Sequence, residues 1–217
     1  DTFNHDFDIL RYLTFIKELF NNFQIKEYTS TVWNEFSDYI DSYKSYGTYT
    51  DSKKKVLDVL VVKLKKTSSR DRARTMQRNF IAKYLGNAEK DSALVAFYGD
   101  DPQDWRFSFV KMEYSLIKDD SGKVRPKTEL TPAKRYSFLV GVNEPNHTCR
   151  RQFLNLVMEE EVSPSLDEIE KAFSIENVTK EFFLEYKELF LKLKESLEKV
   201  LESDKRVKTE FEEKNIS

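Results

Sequence analysis

From Phe7 to Phe23 the apolar residues Phe7, Leu10, Leu13, Ile16, Leu19, Phe20 and Phe23 return every three or four positions. That spacing predicts an amphipathic helix with one buried face. Trp33, Phe36, Tyr39, Ile40 and Tyr43 continue the pattern behind a cap at Ser30 or Thr31, with Gly47 beyond them, so a second helix is expected there. Its opposite face carries Glu35, Asp38 and Asp41. Gly47–Asp51 then reads as a short strand, Ser52–Lys55 as a turn, and Val56–Lys65 as a β-branched central strand.

Thr67–Ser69 is placed to cap a helix over 70–85, whose apolar face is Ala73, Met76, Phe80 and Tyr84 and whose end is Gly86-Asn87. Ser92–Tyr98 is a short apolar strand, and strand, helix, strand in that order predicts a right-handed crossover with parallel pairing. Trp105–Tyr114 alternates apolar and polar residues and leads through a turn at Asp119–Gly122 to Tyr136–Gly141, two further strands expected to be antiparallel to a neighbour. The rest is helical: 148–161, then 165–173 with a capping box at Ser165 and Glu168, then 179–201 with another at Thr179. In the last, Phe182, Phe183, Tyr186, Leu189, Phe190, Leu193, Leu197 and Val200 form a stripe that needs a partner. The expected architecture is α/β (α+β): a mixed sheet of about five strands, N-terminal helices and a C-terminal helical segment. Residues 1–147 form the α/β domain, 148–203 a helical segment packing on it or leading onward, and the charged 204–217 a frayed or disordered tail.

Composition narrows the function. With 217 residues and 39% hydrophobic content there is enough apolar material for one substantial core. Charged residues make up 34% but nearly cancel, leaving a formal net charge of -2, so no global field favours nucleic acid or an anionic membrane. Any basic function must be local. The single cysteine, Cys149, excludes an internal disulfide, and no apolar run approaches the ~20 residues of a membrane-spanning helix. The expected setting is a reducing cytoplasm, with no membrane partner. Gly and Pro number only 5 each and no repeat is present, which argues against a solenoid.

Local charge does appear between Lys53 and Arg78, where 10 basic residues stand against the 2 acidic residues Asp58 and Asp71. Arg70, Arg74 and Arg78 are four apart and share one side of a helix, where they can follow a phosphate backbone, with Lys63, Lys66 and Arg72 beside them. The alternative is a solvated face paired with the acidic second helix. A hairpin whose second strand ends in Lys-x-Lys, followed by a helix and a buried strand, also has the order of a nuclease core. That chemistry uses two carboxylates to hold Mg²⁺ and a lysine to activate water or steady the phosphate. Asp51 or Asp58 supplies the first carboxylate and Lys65 the lysine, while Lys63 occupies the usual acidic position and Glu35 or Asp38 would have to complete the set. Gln77 is placed to orient a water or a base. His147 and Cys149 have too few companions for zinc or for a catalytic pair, and nucleotide-loop, nucleophile-elbow and amino-methyltransferase motifs are absent.

Asp58–Lys65, Arg72–Leu85 and Asp104–Val110, extended by Thr131–Gly141 and Val178–Phe183, resemble the N-terminal half of type IIG (type IIS-like) bacterial restriction–modification enzymes over about Thr31 to Leu201. The resemblance implies a parent with an endonuclease-like N-terminal region, an S-adenosylmethionine-dependent adenine methyltransferase and a target-recognition domain, of which this chain covers the first. It implies double-stranded DNA as partner and leaves S-adenosylmethionine to the following domains. Two functions are therefore expected: a Mg²⁺-dependent or nuclease-derived DNA-handling domain, or a non-catalytic module that joins the enzyme's other domains.

Overall fold

The computed structural model describes residues 2–21, 23–67, 70, 72–113, 116–118, 124–126, 133–158, 163–203 and 209. It has an α/β architecture built on a six-stranded mixed sheet, one strand more than expected, with a separate two-stranded ribbon. Two compact units divide the chain, Asp1–Ser174 and Ile175–Ser217.

The first unit opens with helix α1, Ile9–Leu19, capped by the Asp8 carboxylate accepting from the Arg11 amide. Strands β1 (Tyr28–Thr29), β2 (Ile40–Thr50) and β3 (Val56–Leu64) lead into helix α2 (Arg74–Ala88) and strands β4 (Ser92–Tyr98) and β5 (Asp104–Met112). Strands β6 (Leu116–Lys118) and β7 (Val124–Pro126) form the ribbon; the expected turn at Asp119–Gly122 lies outside the described residues. Strand β8 (Ala133–Gly141) and helices α3 (His147–Met158) and α4 (Leu166–Ala172) complete the unit. The sheet order is β1-β2-β3-β4-β5-β8, with β3 and β4 parallel from Leu57↔Ser92 to Lys63↔Tyr98 and the other neighbours antiparallel. The parallel pairing of β3 and β4 across α2 is thus the one the sequence pattern predicted.

Period 2 along the strands divides the core into two layers. Leu57, Val59, Val61, Leu94, Ala96, Trp105, Phe107 and Phe109 face α1, α3 and α4. Leu60, Val62, Leu64, Ala93, Val95 and Phe97 face α2 through Phe80, Ile81, Tyr84 and Leu85.

The second expected helix is absent. Residues Asn34–Phe36 make one 3-10 turn, and Ile40 and Tyr43 belong to strand β2. Register shifts at Ile40/Ser42 and Ser45/Gly47 insert extra residues into β2, so Ile40 and Tyr43 both point at the α2 layer although they are three apart. A bulged strand has imitated a helical period.

Helix α2 also differs at its ends. It starts at Arg74 behind Ala73, which supplies no side-chain cap, and it runs through Gly86 to stop at Glu89 in the left-handed region, φ 53. Of the expected cap, Ser68 and Ser69 lie outside the described residues. The capping box at Ser165 and Glu168 is present as expected.

The second unit contains helix α5, Ile175–Ser203. It begins before the expected Thr179, whose side chain is outside the described set, as are the expected tail residues 204–208 and 210–217. Its stripe, including Phe182, Tyr186, Leu189, Leu193 and Leu197, is exposed along its whole length. No helix among the described residues is long and apolar enough to cross a membrane.

Candidate functional site

The two halves of α2 do different work. Phe80, Ile81, Tyr84 and Leu85 are concentrated in its second half and pack on β3, β4 and the buried end of β2. Its first turns carry Arg74, Thr75, Gln77 and Arg78 instead, and they approach β5 and β8. The facing strand surface is matched to them. Alternation puts Arg106 and Ser108 of β5, and Arg135 and Ser137 of β8, on the α2 side.

These four residues are related by the antiparallel register, in which Ser108 stands opposite Ser137. Arg106 Nη1 donates to Ser137 Oγ at 3.2 Å, and Arg135 Nη2 donates to Ser108 Oγ at 3.4 Å, so each arginine reaches diagonally to the other strand's serine. Arg106 Nε donates to the Arg70 carbonyl at 3.1 Å, and Gln77 Nε2 donates to the same oxygen at 3.0 Å. That carbonyl therefore ties the segment before α2 to the sheet. Arg70 Nη1 in turn donates to the Asp104 carbonyl at 2.7 Å. The Arg135 guanidinium also lies over the Phe97 ring, 5.8 Å from its centroid.

These contacts hold Arg106 and Arg135 in place, and Arg74 and Arg78 from α2 lie close enough to Arg135 to form one layer with them. Burial, then the neighbouring Arg106, Arg74 and Arg78, pushes the Arg135 pKa down to about 9, so the guanidinium stays charged at neutral pH but in an unfavourable field. A preorganised cluster of like charge is suited to receive an anion with several acceptor oxygens.

The residues expected to carry metal chemistry are not brought together. Asp51 closes the β2–β3 turn: its Oδ1 accepts from the Lys53 and Lys55 amides at 2.8 and 2.9 Å, and its Oδ2 from the Leu166 amide at 3.1 Å. Asp58 is 2% exposed, with Oδ1 accepting from Ser45 Oγ at 3.0 Å, Thr48 Oγ1 at 3.4 Å and the Val59 amide at 3.2 Å, and Oδ2 from the Tyr84 hydroxyl. Burial and the hydrogen bond to Asp58 hold the Tyr84 phenol well above its ordinary pKa, so it remains a donor. Glu35 pairs with Lys83 at 2.6 Å. Lys65 is exposed beyond the far end of β3; at roughly 3.3 Å per extended residue, its Cα stands roughly 20 Å from that of Asp58. No group of three ligating side chains occurs among the described residues. Asp51, Asp58, Glu35 and Lys65 therefore do not fit a shared Mg²⁺ site, and Gln77 is buried with its amide donating to a carbonyl rather than facing a substrate.

Of the expected phosphate contacts, Arg74 and Arg78 fall in the arginine layer and Arg70 beside it. Lys63 pairs with Asp41 at 3.6 Å, while Lys66 and Arg72 are exposed. Cys149 is 1% exposed in the α3 layer, and burial raises its thiol pKa, which leaves it an unreactive core residue. Sequence reasoning missed Arg106 and Arg135. The signal was the Arg-x-Ser spacing in both Arg106–Ser108 and Arg135–Ser137, which puts a charge on a strand face otherwise apolar. Compared with models of protein families, with curated proteins and with solved structures, the chain matches none.

Proposed function

We propose that this chain is a DNA-handling region of an enzyme similar to type IIG restriction–modification proteins, and that it contacts duplex phosphates through Arg74 and Arg78, set above Arg106 and Arg135. The observation that carries this is the arginine layer itself: in a chain of net charge -2, four guanidiniums are gathered on one face, the inner two, Arg106 and Arg135, held in place by serine hydroxyls and a carbonyl. The order helix, three strands, helix, strand in α1–β1–β2–β3–α2–β4 supports a nuclease-like ancestry, and the resemblance supports double-stranded DNA as the partner. Neither supplies a metal site, so phosphate contact rather than Mg²⁺-dependent cleavage is the role assigned to this face. The cytoplasm is the setting that goes with it.

The arginines act on phosphate, so the double variant Arg74→Ala, Arg78→Ala weakens binding about tenfold on duplexes of unrelated sequence and reduces the slope of log K against log salt by about two. Fluorescence anisotropy with two or more unrelated duplexes measures both; a loss confined to one sequence contradicts phosphate contact. Helix α5 favours a second role alongside the first. Its exposed Phe182, Tyr186, Leu189 and Leu193 are suited to dock on the methyltransferase or target-recognition domains that the resemblance implies.

A further inference from the structure

Two guanidinium nitrogens of the arginine layer, Nε of Arg78 and Nε of Arg135, are buried from solvent without a hydrogen-bond partner. Both side chains line a cavity of about 520 Å³ between the start of α2 and strand β8, together with Arg74, Thr75 and Lys134. No acidic residue lines it among the described residues. A desolvated cationic donor with no protein acceptor is costly, and it points to an acceptor that comes from outside the chain. Here three guanidiniums surround one space, and the deepest of them, Arg135, is the one that burial and like charge most disfavour.

The size and charge of this space select the ligand. It lies within the roughly 300–1,000 Å³ of small-molecule sites and opens to solvent past the exposed Arg74, Thr75 and Lys134, with Arg135 as its inner wall. A phosphodiester in the middle of a duplex carries one negative charge on a convex backbone and presents its oxygens at the surface, where the outer faces of Arg74 and Arg78 meet it. A terminal phosphate protrudes from its chain, carries about −1.5 to −2 charges at pH 7 and offers three acceptor oxygens. It can enter the cavity and accept from several guanidiniums at once.

We propose that the cavity formed by Arg74, Arg78 and Arg135 binds a phosphate monoester, either the 5′-phosphate end of a DNA strand or the phosphate of a free nucleotide. The proposal rests on the phosphate role of the arginine layer and adds that the layer distinguishes an end from the backbone. An end-sensing pocket beside a backbone-contacting helix would let the domain register on a nicked or broken duplex.

The test uses the whole chain and two duplexes of identical sequence, one with 5′-phosphates and one with 5′-hydroxyls, with deoxyadenosine 5′-monophosphate titrated separately by calorimetry. The phosphorylated duplex is expected to bind at least tenfold tighter, and the ratio should fall to about one in Arg135→Gln. Arg78→Gln, on the outer wall, should lower it as well, which keeps the test open if the first variant folds poorly by circular dichroism. Nucleotide binding that depends on Arg135, with no preference between the duplexes, identifies the free nucleotide as the source of the monoester. Equal duplex affinities and no nucleotide binding overturn the pocket while leaving backbone contact intact. Nucleotide binding without affinity for either duplex overturns the DNA role instead and retains the pocket.

Discussion

Replacing Asp58 with alanine is expected to destabilise the protein by about 3–4 kcal/mol, because the buried carboxylate accepts from several donors at once. Ser45 and Thr48 reach it from β2, and the Tyr84 hydroxyl reaches it from α2, so one side chain joins both strands of the hairpin to the helix that carries the arginines. Its loss removes the charged acceptor of the Tyr84 hydroxyl and adds a cavity. The sign separates a structural carboxylate from a metal ligand. A carboxylate held for metal binding is kept at a cost to stability, so its removal in metal-free buffer is neutral or stabilising. Urea denaturation with EDTA present reads the difference as a lower midpoint at constant slope, and an unchanged or raised midpoint would return Asp58 to the list of metal ligands.

Phe107→Ala is expected to cost about 4 kcal/mol, the usual range for a fully buried phenylalanine being roughly 3–5. The ring is 0% exposed and meets Phe3, Phe15, Phe153 and Phe173 with centroids 5.2, 5.8, 5.2 and 5.0 Å away. Those partners come from the N-terminal turn, α1, α3 and the end of α4, so truncation loosens every element on that face of the sheet. Phe107 points away from α2, which predicts that the remaining folded protein binds DNA with unchanged affinity. A destabilisation under about 1 kcal/mol by the same urea measurement would mean that these rings do not form one core.

Much of this fold was legible in the sequence where periodicity and local structure agree. The α1 stripe, apart from Leu10, which is exposed, the β-branched run of β3, the parallel pairing across α2 and the apolar β4 follow from spacing and composition. The segment before β2 did not, because Ile40 and Tyr43 take a three-residue spacing from strand bulges rather than from helical turns. Local pattern cannot distinguish the two; the pairing of β2 with β3 can.

The site was half legible for a related reason. Arg74 and Arg78 are near neighbours on one helix, and their spacing alone puts them side by side. Arg106 and Arg135 become partners only when Ser108 and Ser137 come into register across β5 and β8, a contact that no local window contains. The carboxylates misled in the opposite direction. Asp51 and Asp58 follow an order that suits a nuclease, but Asp51 is used to close a turn and Asp58 to satisfy buried hydroxyls. Residue type and order do not reveal which backbone or side-chain donors a carboxylate will meet.

The central claim is that the arginine layer meets DNA phosphates, and the most direct measurement of it is the affinity of the whole chain for a duplex as salt is raised from about 50 to about 200 mM. With Arg74 and Arg78 engaging backbone phosphates, log K should fall linearly with log salt at a slope of about −2 on any sequence. A slope near zero, or no measurable binding at the lowest salt, would contradict the account and leave the layer without a role in DNA contact.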